Sequence, residues 1–251
     1  IGVGSEFDKS MSQVAATMGT TVDQISELRD FAMDMGATTA FSATEAADAL
    51  NYMALAGYDA KTSMKMLPNV LNLAAAGNMD LARASDMVTD TQSALGLSLE
   101  ETSALVDKMA KASSKSNTSV EQLGDAMLTV GGTAKTLSGG TTELATMLGV
   151  LADNGIKGAE GGTALRNVIL ALSAPTDVAA KKLEELGVSA YDADGNLRAL
   201  PEVFDDLNAA MEQSIRDSAP DETPIVVHRR NNDYWKVTMR LDDFMEVIHG
   251  R

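Results

Sequence analysis

The 251-residue sequence contains no cysteine and few aromatic side chains. The absence of cysteine excludes disulfides, thiolate nucleophiles and zinc sites built on cysteine. Aromatic residues make up only 4% of a chain that is 45% hydrophobic, so alanine, leucine and methionine must fill most of the core. These residues favour closely packed helices over a sandwich of β-sheets.

Residues and motifs that could catalyse a reaction, bind a metal ion or bind a nucleotide are equally scarce. The two histidines, His228 and His249, lack neighbours at the spacing of a metal site or a catalytic triad. Neither a P-loop nor a Gly-x-Ser-x-Gly nucleophile motif occurs. No apolar run approaches the ~20 residues that cross a bilayer. The sequence therefore predicts no catalytic residue, no metal, no cofactor and no membrane span.

Charge is strongly negative and unevenly placed. The net charge is −16, which argues against sequence-independent binding to nucleic acid, because such binding needs clustered Lys and Arg. Residues 1–213 hold 14 Lys and Arg against 29 Asp and Glu, whereas the charges nearly balance from residue 214 onward. Trp235 and both histidines also lie in that last part. We therefore predict a body over residues 1–213 and a separate segment over residues 214–251.

The body carries the sequence pattern of many short helices. Ser-x-x-Glu or Ser-x-x-Gln, which caps a helix, occurs at Ser42, Ser98 and Ser119. Pro68 lies inside the helix predicted to follow Asp59 and should kink or split that helix. Methionines recur through most of these helices and fit either the core or a partner surface. Further helices are predicted over residues 80–95, 98–113, 119–131, 142–153, 163–173, 176–186 and 202–213.

Two segments depart from the helical pattern. Residues 188–191 and 196–198 flank Asp194-Gly195, which supplies the positive φ of a hairpin turn. The alternation of Asp192, Asp194 and Asn196 also resembles the start of a calcium loop, but Val203 stands where such a loop needs a glutamate. We predict a turn there, and a ββα segment from strands over 225–230 and 234–239 with a helix over 241–248. The predicted fold class is an all-α multi-helix bundle with one small β-hairpin and this C-terminal ββα segment.

A glycine-rich loop precedes the helix predicted at Thr163. Glycines before a helix N-terminus can cradle a phosphate, so a helical module that binds a nucleotide or small molecule through Gly155–Thr163 is an alternative function. The loop lacks the Gly-Lys-Ser/Thr of a P-loop and contains Glu160, and a tight helix–helix connection also explains its glycines. A further alternative is a nucleic-acid-associated module that uses Arg229, Arg230, Trp235 and Lys236.

Several long segments resemble, in order, the core of phage tail tape measure proteins. Together they cover about residues 1–213. Near their end lies a family-signature loop formed by Asn154, Gly155, Ile156, Lys157, Gly158, Gly162, Thr163 and Arg166. The segments are Gly4–Met11, Met35–Ala47, Asn51–Tyr58, Leu67–Ala75, Ser116–Ser119, Leu151–Gly158 and Gly162–Arg166.

The resemblance implies a long, mostly helical structural protein, not an enzyme, inside the growing tail of a long-tailed phage. Such a protein sets the length of the tail tube and leaves the tube when DNA is ejected. Its implied partners are tail-tube subunits, tail assembly chaperones, tail-tip proteins and other copies of itself. Its implied location is the virion tail and, during assembly, the host cytoplasm. Residues 224–244 instead show a weak resemblance to the ββα end of phage resolvase-like nucleases, whose acidic metal-binding core is absent.

Because the C-terminal segment differs from the body in composition, we expect its removal to leave the body intact. Deleting residues 218–251 should leave the thermal midpoint of the body unchanged and reduce aggregation, because unpartnered strand edges promote association. Thermal unfolding followed by circular dichroism measures this. A fall of more than about 4 °C would show that the segment packs on the helices.

Overall fold

A computed structural model describes residues 3–217, 226–228 and 236–238, with side chains over residues 4–213. Contacts divide the chain into two compact units, Ile1–Ala174 and Pro175–Arg251. The predicted all-α class is confirmed for the described residues, which form eleven α-helices and two three-residue strands. The helices are α1 Val3–Thr17, α2 Ser26–Thr38, α3 Ala43–Leu55, α4 Ala60–Gly77, α5 Leu81–Leu95, α6 Leu99–Lys115, α7 Val120–Val130, α8 Gly140–Asp153, α9 Gly158–Ser173, α10 Asp177–Glu185 and α11 Leu200–Asp217.

All three predicted capping boxes are present at helix N-termini. At α3, the Ser42 N–H donates to the Glu45 carboxylate at 2.7 Å, and the Glu45 N–H donates to the Ser42 hydroxyl at 3.2 Å. The same exchange begins α6 at Ser98 and α7 at Ser119. The hydrogen bond from the Ser42 backbone holds the pKa of Glu45 below its ordinary value. Each box satisfies backbone donors that a helix leaves unpaired at its start.

Pro68 was expected to kink or split its helix, and the split does not occur. The helix α4 runs as one element from Ala60 to Gly77. A proline inside a helix costs about 3 kcal/mol because it removes one hydrogen bond and crowds the preceding turn. Met66, Leu67, Val70 and Leu71 around it are buried. Their combined burial exceeds that cost, since each large apolar side chain contributes about 1.5–3 kcal/mol.

Methionine fills the core at most of the positions where it was expected. The side chains of Met53, Met66, Met87, Met109 and Met127 are fully buried among the helices of the first unit. Met64, Met79 and Met147 are half-buried. The flexible thioether adapts to gaps that rigid aromatic rings would not fill. The core interpretation of the methionines therefore holds for the five buried side chains.

Glycine allows two helices to approach closely. Gly162, on α9, is buried against α7. A Cβ atom placed on Gly162 would overlap the carbonyl oxygen of Ala126 and lie 2.7 Å from the Cβ of Thr129. No side chain therefore fits at residue 162 unless the helices separate. The short distance between α7 and α9 depends on this glycine.

The predicted β-structure is smaller than expected. The hairpin prediction was wrong, because Tyr191 and Leu197 form only an isolated bridge rather than two strands. The Asp192 carboxylate accepts hydrogen bonds from the backbone N–H groups of Asp194 and Asn196. These bonds stabilise the turn that the bridge between Tyr191 and Leu197 closes. Strand β1, Val226–His228, pairs antiparallel with β2, Lys236–Thr238. The helix predicted over residues 241–248 lies outside the described residues, so a ββα unit is not supported.

The contact at Gly162 generates a stability prediction. Gly162→Ala should lower the free energy of unfolding by ~1–3 kcal/mol, because overpacking against backbone cannot be relieved by side-chain rotation. Urea denaturation of both proteins measures the difference.

The matched control is Gly4→Ala in α1, where an added Cβ meets no atom within 4 Å. Its stability should be unchanged or higher by up to about 1 kcal/mol, since alanine favours the helix. Equal effects of the two substitutions would contradict the packing role of Gly162.

Candidate functional site

The family-signature loop joins the end of α8 to the start of α9. Gly155 adopts a φ of +86°, and its N–H donates to the Ala152 carbonyl at 3.0 Å. The Ile156 N–H donates to the Leu151 carbonyl at 2.9 Å. The Asn154 side-chain amide donates a hydrogen bond to the Val150 carbonyl at 2.9 Å. These bonds satisfy the last carbonyls of α8, and glycine is needed where the chain turns left-handed.

The glycine-rich segment is largely helical, which corrects the predicted start of its helix. The prediction placed the loop up to Thr163, but α9 already begins at Gly158. Gly161 and Gly162 are buried in its first turns. Their role is close contact, with the Ile156 carbonyl oxygen for Gly161 and with α7 for Gly162. These two glycines do not present open backbone to a phosphate.

The remaining signature residues do not converge on one point. The Thr163 hydroxyl donates to the Ala159 carbonyl at 2.9 Å, as an ordinary helix-surface threonine does. Arg166 is exposed on α9, and Lys157 occupies the N-cap position with its side chain half-buried. The geometry of this loop therefore favours a structural connection over a nucleotide site.

Two of the resembling segments meet at the end of α8. The Asn117 backbone N–H donates to the Asp153 carboxylate at 2.6 Å. Nearby, a Cβ atom on Gly149 would lie 2.6 Å from the Ser116 hydroxyl. The connection between α6 and α7 is thus held against α8 by a charge-assisted hydrogen bond and by a glycine contact.

The calcium-like alternation forms a turn, as predicted. The two oxygens of Asp192 accept from backbone N–H groups and from the Asn196 side chain. The hydrogen bond from the Asn196 backbone lowers the pKa of Asp192. Among the described residues, no group of three or more acidic or histidine side chains lies close enough to hold a metal ion. The side chains of His228, His249, Arg229, Arg230, Trp235 and Lys236 lie outside the described part.

A groove lined by lysines was not anticipated from the sequence. It lies between α6 and α8, has a volume of about 440 Å³, and is called the lysine groove below. Val150 lines it with 51% of its surface exposed, beside Ala112 and Ala145. The lysines lie along α6 at spacings of three and four residues, and they are Lys108, Lys111 and Lys115.

The spacing of these lysines could have revealed the groove. Residues three and seven apart share one face of a helix. The prediction ended that helix near Ser113, whereas α6 continues to Lys115. Because the predicted helix ends before Lys115, the sequence places only Lys108 and Lys111 on one helix face.

No helix in the described ranges is both long enough and apolar enough to cross a bilayer.

Comparison with known proteins identifies the family. The profile of the family described as phage-related minor tail protein matches residues 29–220. The chain is 37% identical over 210 residues to the tape measure protein of Pneumococcus phage Dp-1, covering 84% of this chain and 18% of that protein. It is 30% identical over 213 residues to the probable tape measure protein of Escherichia phage P2, covering 84% of this chain and 26% of that protein.

The protein is therefore a structural component of phage tails, and the chain belongs to the phage-related minor tail protein family. Its resemblance to tape measure proteins is confirmed by both relatives. The chain spans about a fifth and a quarter of the lengths of these two relatives. No solved structure matches the chain.

The Asp153 contact yields a prediction for this region. Asp153→Ala should lower the free energy of unfolding by ~0.5–1.5 kcal/mol, because the Asn117 N–H loses its acceptor. Chemical denaturation monitored by circular dichroism measures the change. Asp30→Ala serves as the control, since Asp30 is exposed on α2. A smaller effect at Asp153 than at Asp30 would contradict the role of this hydrogen bond.

Proposed function

We propose that the chain is the core part of a tape measure protein, which templates tail-tube length and is released when DNA is ejected. The observation that carries the proposal is the match of 84% of the chain to two tape measure proteins. An α-helix rises 1.5 Å per residue, so a long helical chain converts residue number into length. This chain would form the packed, non-extended part of such a ruler.

The helical body supports an assembly role in preference to catalysis. Its glycines are used for helix contacts, as at Gly162, and its capping carboxylates are bonded to backbone N–H groups. Reacting groups in enzymes need perturbed acid–base pairs that face a common cleft. The carboxylates with shifted pKa values, such as Glu45 and Asp192, serve turns and helix starts instead. We therefore propose that the chain is not an enzyme.

The proposed partners are tail-tube subunits, tail assembly chaperones, tail-tip proteins and further copies of this chain. The proposed location is the tail of the virion and, before that, the host cytoplasm where tails assemble. The division into a body over residues 1–213 and a segment over residues 214–251 belongs to the same proposal. Under it, the body contributes the tape measure core, and the last segment is a distinct part of uncertain origin.

The proposal is tested in a phage that encodes this chain. Removing residues 3–217 in frame should abolish tails of uniform length, because the template would lack its core. Negative-stain electron microscopy of lysates measures the number and length of the tails. Phage carrying Gly4→Ala, which alters no packing contact, should produce tails of normal length. Tails of normal number and length from the deletion would overturn the proposal.

A further inference from the structure

The lysine groove is an exception on a strongly acidic molecule. Residues 1–213 carry 29 acidic groups against 14 basic ones, and three of the basic groups lie along one face of α6. The Lys108 amino group donates a hydrogen bond to the Thr141 hydroxyl at 2.7 Å. Lys111 and Lys115 are exposed and have no salt-bridge partner among the described residues. Asp153 also lines the groove, where its carboxylate accepts the Asn117 N–H, so a negative partner meets three lysines and one carboxylate here.

Helix stability accounts for only part of this arrangement. Lysines in the last turns of a helix interact favourably with its negative end. That effect explains why Lys115 stands at the end of α6. It does not explain why Val150, across the groove from the lysines, leaves an apolar side chain half-exposed. Apolar surface bordered by positive charge is complementary to a helix with an apolar stripe and acidic edges.

The helix α11 has the complementary pattern. Phe204, Leu207 and Met211 follow one another at spacings of three and four residues, and Met211 is 42% exposed. Phe204 and Leu207 are half-buried. Asp205 and Glu212 border this stripe and are exposed. The three apolar residues therefore share one face of α11.

We propose that α11 of a second copy of this chain occupies the lysine groove. The apolar stripe of α11 lies against Ala112, Ala145 and Val150, while Asp205 and Glu212 face Lys111 and Lys115. The proposal deepens the self-association named under the proposed function and rests on it. Because groove and helix are different surfaces, the contact is heterologous, and repeated contacts form a ring or an open chain of copies.

The size of the groove sets the strength of the contact. A volume of about 440 Å³ accommodates about two turns of helix. The surface area that two turns bury is smaller than the area buried in a stable dimer interface. We expect a dissociation constant on the order of 10 µM, and one that rises with salt because surface charges contribute.

The test is sedimentation velocity of the 251-residue chain at low salt, up to about 200 µM. Lys111→Glu with Lys115→Glu should raise the dissociation constant at least ~tenfold. Asp205→Lys with Glu212→Lys should do the same. A chain with all four substitutions should return to within about threefold of the original value, because the charges are exchanged across one contact.

The matched control is Lys61→Glu with Lys65→Glu on α4, two exposed lysines four residues apart. It changes the net charge as much as the groove substitutions but should leave association within about twofold of the original. Circular dichroism confirms that each variant is folded.

The proposal is overturned if the original chain stays monomeric, or if the control weakens association as much as the groove variant. It is also overturned if the four-substitution chain remains monomeric, since the groove would then bind a different partner. None of these outcomes bears on tail assembly in the phage, which the deletion experiment tests separately.

Discussion

The close approach of α7 and α9 at Gly162 is the constraint on which the first unit depends. A sequence with few aromatic rings cannot fill wide gaps between helices, so its helices must come near one another. At Gly162 the absence of a side chain brings the α9 backbone against the Ala126 carbonyl. Leu123, Met127, Leu165 and Ile169 are buried on the same two helices. The glycine therefore sets the distance at which these side chains pack.

Polar groups define where each helix begins and ends. Serine and glutamate pairs satisfy the first backbone donors of α3 and α6, and left-handed residues such as Asn78 and Gly96 end α4 and α5. The Asp153 carboxylate adds a bond between two connections that are distant in sequence. A largely acidic chain thus uses several of its carboxylates for structure. At Glu45 and Glu101, the hydrogen bonds from the backbone of the capping serines lower the pKa of the carboxyl group.

Local sequence chemistry predicted much of this fold. The capping boxes and glycine stops marked α3, α5, α6 and α7 because they act through bonds within a few residues. Pro68 and Thr163 were misjudged because tertiary packing overrides local preference there. Burial of Met66 and Leu67 keeps α4 continuous, and contact with α7 explains glycines that resembled a phosphate loop. The spacing of the lysines on α6 is visible in the sequence, but the lysine groove also needs residues of α8, and their packing against α6 could not be predicted from either segment alone.

The central claim is that this chain is a structural part of the phage tail. The most direct measurement is quantitative mass spectrometry of purified virions, before and after DNA ejection is triggered. The account predicts peptides from residues 3–217 in intact virions at a fixed ratio to the tail-tube protein, and their loss from emptied tails. Purified virions with normal tails and no peptides from this chain would contradict it.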